Sequence, residues 1–139
     1  MLDRIRSLQI VCGAIVLGLL LVNAVLLILL ARGLTPVPIP KTVSIVLFAA
    51  GVALLVAAPA VKGAVYKRAD AEGIQGDLGK VFAAYRKATL IAFALREAGG
   101  LIGFVLSILT ANPWWSRGLG GAAVIALALD WPRREHLGL

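Results

Sequence analysis

The sequence has little cysteine, little histidine and few acidic residues, and these shortages exclude several kinds of site. Among 139 residues there is one cysteine and one histidine. Cys12 therefore has no partner for an intramolecular disulfide, and His136 cannot hold a metal ion by itself. No serine, histidine and aspartate stand at positions typical of a hydrolase, and no second carboxylate accompanies Glu97 in its apolar span. We predict no metal, no cofactor and no enzymatic activity.

Apolar residues, in contrast, are in excess. They make up 60% of the chain, and the mean hydropathy is +0.95, whereas a soluble domain is about 45–50% apolar. A helix needs about 20 residues to cross a hydrocarbon core about 30 Å thick. The length therefore allows four short crossings. We predict an all-α polytopic membrane protein whose four transmembrane helices form two hairpins, with a short cytoplasmic helical stalk.

The boundaries of these segments follow from the apolar runs and their interruptions. The first run, 8–31, is longer than the roughly 7–15 apolar residues of a signal peptide, so we expect it to be a membrane crossing. Pro36, Pro38 and Pro40 favour an extended connector after it. The predicted segments of this single domain are TM1 7–31, TM2 42–60, a cytoplasmic stalk 61–87, TM3 88–111, TM4 114–130 and a cytoplasmic tail 131–139.

Basic residues are distributed unequally between the two ends of these spans. Only Arg32, Lys41 and Arg117 fall on one side. Because cytoplasmic loops carry an excess of Lys and Arg, both termini and the stalk are predicted to be cytoplasmic, with the helices in the inner (plasma) membrane. The bases on the cytoplasmic side are Arg4, Arg6, Lys62, Lys67, Arg68, Lys80, Arg86, Lys87, Arg133 and Arg134.

The bases of the stalk are candidates for contact with anionic lipids. Each one near anionic headgroups contributes about 1 kcal/mol of attraction; a soluble acidic partner is the alternative. Nucleic acid is not expected, because the positive charge lies at the ends of apolar spans. These stalk residues are Lys62, Lys67, Arg68, Lys80, Arg86 and Lys87.

A charged pair near the midpoint of the third apolar span is the main candidate for a functional site. Ionised groups at this depth cost about 2.5 kcal/mol or more, so Arg96 and Glu97 should face protein or water. Glu97 could neutralise Arg96, its own or that of a neighbouring copy, or it could bind a proton or a partner. Neighbouring helix positions diverge by about 100°, so one chain's Arg96 and Glu97 do not naturally face each other.

Small residues close to this pair are predicted to pack helices together. Gly99, Gly100 and Gly103 include a G-x-x-x-G spacing that allows close approach of a second helix. Asn23 is the strongly polar residue inside the first span, and we expect it to form a hydrogen bond with a neighbouring helix rather than to bind a ligand.

Two resemblances extend this interpretation. Residues 94–106, A-L-R-E-A-G-G-L-I-G-F-V-L, look like the ion-binding helix of the proteolipid c subunits of rotary ATP synthases, which implies a proton-carrying role for Glu97. Four short stretches, 85–88, 94–97, 109–112 and 131–134, resemble a group of small uncharacterised four-helix bacterial membrane proteins. That resemblance implies the architecture and the bacterial membrane, and no activity.

The sequence thus leads to two functional expectations. The first is a small integral membrane scaffold or oligomer-forming accessory subunit of a bacterial membrane complex, since a homo-oligomer or larger complex would cover polar groups that thin helices leave unburied. The alternative is a proteolipid-like subunit that binds or translocates protons through Glu97.

Overall fold

The described part of the chain consists of four helices joined by short connections. A computed structural model describes residues 2–71, 73 and 76–133. Its helices are α1 (Leu2–Ala31), α2 (Lys41–Ala71), α3 (Leu78–Thr110) and α4 (Trp114–Leu129), and these ranges contain no strand. The all-α prediction is confirmed. His136 and residues 134–139 of the predicted tail lie outside the described residues.

Three of these helices, α1, α2 and α3, are long and apolar enough to cross a membrane. They contain 30, 31 and 33 residues. The helix α4 has 16 residues, which corresponds to about 24 Å at the usual rise per residue. The predicted stalk is therefore not a separate unit: its two arms are the end of α2 and the beginning of α3, each continuous with an apolar span.

The ends of α3 are fixed by local interactions. The Asp77 carboxylate oxygen Oδ1 accepts hydrogen bonds from the backbone N–H groups of Gly79, at 3.1 Å, and Lys80, at 3.3 Å, which is how an aspartate N-cap begins a helix. At the other end Ala111 adopts a left-handed conformation with φ 50°. The Asn112 side chain then accepts a hydrogen bond from the N–H of Trp114, at 3.0 Å, so α4 begins almost immediately and folds back along α3.

The helix α3 lies at the centre of the fold and packs against all three others. The helices α3 and α4 form a packed hairpin, as predicted. The other predicted hairpin is not a packed pair, because α1 lies on α3 and α4 whereas α2 lies mainly on α3, with little direct contact between α1 and α2. The proline connector instead reaches the far end of α3, where the Val37 N–H donates to the Leu109 carbonyl at 2.7 Å.

Three glycines of α3 allow its neighbours to approach closely. A Cβ atom at Gly99 would lie 3.0 Å from the carbonyl oxygen of Gly51 in α2. A Cβ at Gly100 would lie 3.0 Å from Leu19 of α1. A Cβ at Gly103 would lie 2.7 Å from the Cβ of Leu119 in α4. A larger residue at Gly103 would therefore force α4 to move, whereas at Gly99 and Gly100 the neighbouring atoms would have to shift by a few tenths of an ångström.

Replacement of Gly103 by alanine should destabilise the bundle. Its added methyl group would meet backbone as well as side-chain atoms of α4, including the Trp115 carbonyl oxygen at 2.8 Å. Overpacking of this kind typically costs about 1–3 kcal/mol. Thermal unfolding in detergent, followed by tryptophan fluorescence, should show a lower midpoint for Gly103→Ala. Gly121→Ala is the matched control, because no atom lies within 4 Å of its added Cβ, and an unchanged or higher midpoint is expected.

Candidate functional site

The side chain of Arg96 is buried between α3 and the end of α4, and it has a counter-charge there. Only 6% of the residue is exposed. Its Nη1 donates to the Asp130 carboxylate and, at 3.3 Å, to the carbonyl oxygen of Ala126 in the last turn of α4. The positive charge of Arg96 neutralises the Asp130 carboxylate and interacts favourably with the negative end of the α4 dipole. The partner of Arg96 is thus Asp130 of the same chain, not Glu97.

A second cation contacts the same carboxylate. Lys62 Nζ of α2 lies 3.7 Å from Oδ2 of Asp130, and the exposed fractions of the two side chains are 14% and 30%. The ammonium group also lies 6.0 Å from the ring centroid of Tyr85, within the range of a cation–π contact. We refer to Arg96, Asp130 and Lys62 as the charged cluster. It joins α2, α3 and the end of α4, and its formal charge is positive.

The segment that follows α4 is held over this cluster by two other helices. Gln9 of α1 donates a hydrogen bond to the Pro132 carbonyl at 2.8 Å. The backbone N–H of Arg133 donates to the hydroxyl of Tyr85 at 3.3 Å, and the Tyr85 ring stacks on that of Tyr66 with centroids 6.5 Å apart. These contacts fix residues 131–133, and with them Asp130, against the bundle.

Glu97 lies on a different face of α3 and has a different environment. It is half-buried, and its carboxylate points toward α1, where Oε1 would lie 3.8 Å from a Cβ atom at Gly18. Within the described part of the chain, Glu97 makes no hydrogen bond and no ion pair. The sequence places Arg96 and Glu97 side by side, but the fold gives a counter-charge to the arginine alone.

A second polar layer lies about 16 Å along α3 from Arg96, from the helical rise over the interval to Ser107. The hydroxyl of Ser107 accepts a hydrogen bond from the Ser116 N–H at 2.7 Å, and the Ser116 hydroxyl donates to the Asn23 side-chain oxygen. The Asn23 amide donates to the Leu19 carbonyl at 2.8 Å. This layer links α1, α3 and α4, so Asn23 has the position of a packing residue.

The basic residues of the stalk separate into two groups. Lys62 differs from the sequence-based expectation, because it is directed into the charged cluster and is not a surface residue. The remaining five are exposed. These are Lys67, Arg68, Lys80, Arg86 and Lys87.

Sequence reasoning missed the importance of Asp130, Ser107 and Ser116. Asp130 is the counter-ion of Arg96. The available signal is that a buried cation needs an anion, and that Asp130, one of few acids in the chain, ends the helix that returns along α3. For the two serines the signal was a small polar residue inside an apolar helix.

Loss of the Asp130 charge should destabilise the protein. Asp130→Asn leaves the Arg96 cation buried without a counter-charge, which we expect to lower the free energy of unfolding by about 2–4 kcal/mol. The expected loss of stability is slightly smaller than for a fully buried ion pair, because 30% of the Asp130 side chain is exposed. Unfolding by denaturant in detergent measures the effect. Asp70→Asn, the same change at an exposed position of α2, should change stability by less than about 0.5 kcal/mol.

The double variant Arg96→Met with Asp130→Asn should recover part of the loss, because the buried guanidinium is removed together with its counter-charge and only Lys62, whose side chain is 14% exposed, then lacks a carboxylate. A double variant as unstable as the sum of two damaging single changes would contradict the role of the pair.

Comparisons with protein-family models, curated proteins and solved structures find no match to this chain. The two resemblances drawn from short motifs therefore stay hypotheses. Among the described residues, no group of three or more His, Cys, Asp or Glu side chains could hold a metal ion. The functional argument rests on the charged cluster and on Glu97.

Proposed function

We propose that the protein is a small integral membrane scaffold or accessory subunit of a bacterial membrane complex, and that Glu97 is its contact with another transmembrane helix. The observation that supports this proposal is the half-buried Glu97 carboxylate, which lies within an apolar helix and has no hydrogen-bonding or charged partner in the described part of the chain. The proposal includes no catalytic activity.

The environment of Arg96 makes this proposal more specific. If Arg96 lacked a partner, Glu97 of a neighbouring copy could simply neutralise it. Arg96 is instead held by Asp130 and by the Ala126 carbonyl. A charged Glu97 therefore needs a donor from outside this chain, supplied by a second copy or by a different membrane protein, since an isolated charge at this depth is unfavourable.

A proton is the alternative partner, and the same observation supports it. A protonated carboxylic acid carries no charge and is tolerated at membrane depth. The absence of a side chain at Gly18 leaves space beside Oε1 of Glu97. In this second proposal Glu97 takes up and releases a proton as part of a proteolipid-like subunit.

The proposed membrane placement has four crossings and cytoplasmic termini. The helices α1, α2 and α3 supply three crossings. The fourth is α4, whose short length is compensated by Trp114 at one end and Trp131 after the other, since tryptophan belongs at the headgroup level. The exposed bases of the stalk then lie at the cytoplasmic surface, next to anionic lipids.

Cysteine labelling tests this placement. In a Cys12→Ala background, Lys67→Cys should react with a membrane-impermeant maleimide only after the inner membrane is opened. Thr35→Cys, on the connector between α1 and α2, should react in cells whose inner membrane is intact. Both positions are exposed, and Cys12 is buried. The reverse pattern of labelling would contradict the orientation.

Replacement of Glu97 by glutamine separates the two proposed roles. If Glu97 binds a donor on another helix, Glu97→Gln should weaken the association by about tenfold or more, because a hydrogen bond to a charged group contributes about 1.5–3 kcal/mol. Mass measurement of the solubilised complex gives this result. If Glu97 carries a proton, glutamine imitates the protonated acid, so the assembly persists while pH-driven flux in liposomes disappears.

Val56→Gln is the control, because it places the same side chain at an exposed position in the apolar span of a different helix, α2. It should leave both association and flux unchanged. A wild-type protein that is monomeric and inactive in flux, with Glu97→Gln indistinguishable from it, would eliminate both proposals.

A further inference from the structure

A groove opens between the first turns of α1 and the first turns of α3. The two helices run in the same direction, since Asp3, Arg4 and Ser7 face the start of α3 while Gly18 faces Glu97 farther along. The groove has a volume of about 650 Å³. Its base is apolar and is formed by Phe82, which is 5% exposed, and by Leu90.

The charge of this groove is positive. Arg4, Arg86 and Lys87 line it and are exposed, and Asp3 is the one acidic side chain among the lining residues described. An anion with one or two negative charges matches this arrangement. The apolar base continues toward the membrane-spanning part of α3, so a ligand with both an anionic head and an apolar tail fits better than a small ion.

The depth of the groove identifies the ligand class. Ser7 is the last residue before the apolar run of α1, and Lys87 is the last residue before that of α3. Both therefore lie where the proposed membrane placement puts the phosphates of the cytoplasmic leaflet. Lys87 also lines a second basic groove, between α2 and α3, whose other bases are Arg68 and Lys80. Lys80 lies about 10 Å farther from the apolar run of α3 than Lys87 does, from the helical rise.

We propose that the groove between α1 and α3 is a binding site for one anionic phospholipid. The phosphate lies among Arg4, Arg86 and Lys87, and an acyl chain contacts Leu90 and continues from there into the bilayer. This inference depends on the membrane placement proposed above, but not on the role of Glu97, which lies two turns beyond Leu90 on the same side of α3.

Lipid retention by the purified full-length protein tests this site. Native mass spectrometry in detergent, with phosphatidylglycerol or phosphatidylcholine added, should show one phosphatidylglycerol bound per chain in preference to phosphatidylcholine. The variant Arg4→Gln with Arg86→Gln should weaken phosphatidylglycerol binding by about tenfold or more, because each base contributes about fivefold near an anionic headgroup. The control Lys67→Gln with Lys80→Gln removes the same charge outside this groove and should change binding less than threefold.

A substitution that does not change the charge distinguishes a specific lipid site from general electrostatic attraction to the basic surface. Ser7→Phe keeps the charge but fills the groove, so it should also weaken binding, while Glu97→Gln should leave binding unchanged. Equal losses in the two charge variants, or an unaffected Ser7→Phe, would show general attraction and overturn the site. Displacement of the lipid by millimolar glycerol phosphate would likewise overturn it, since the groove would then be an anion site without a place for an acyl chain.

Discussion

The need of a buried arginine for a counter-charge determines how the fourth helix fits the bundle. Arg96 is 6% exposed, and a guanidinium group in such surroundings is tolerated only when it is paired and hydrogen-bonded. Asp130 can meet this need because α4 returns along α3 for the right distance. The part of α3 beyond Arg96 ends at Thr110, and α4 has 16 residues, so both are about four turns long. One turn less in α4 would leave Asp130 about 5 Å short of the guanidinium.

The central position of α3 depends on the small residues that allow the other three helices to pack against it. Gly99 lies close to α2, Gly100 to α1 and Gly103 to α4, and the contact is tightest at Gly103. Successive residues of a helix point about 100° apart, so Arg96 faces α4 while Glu97 faces α1. The same helical geometry that brings Asp130 to Arg96 directs Glu97 toward Gly18.

Local features were predictable from the sequence, and pairings between distant residues were not. The four helices, the Asp77 N-cap and the stop near Asn112 follow from composition, apolar runs and capping chemistry, all of which act over a few residues. The partner of Arg96 lies 34 positions away, and an acid next to it in sequence was the more obvious choice. The inward direction of Lys62 and the separation of α1 from α2 depend on how whole helices pack, which no short pattern encodes.

The two charged residues of α3 consequently have separable physical roles. Arg96, Asp130 and Lys62 form contacts that do not involve Glu97, so a change in the charge or the partner of Glu97 breaks none of the interactions that hold the end of α4. In either of the proposed roles, Glu97 would therefore gain or lose its partner at no cost to the pairing of Arg96. If Glu97 were instead the counter-ion of Arg96, each change of its partner would leave the buried arginine unpaired.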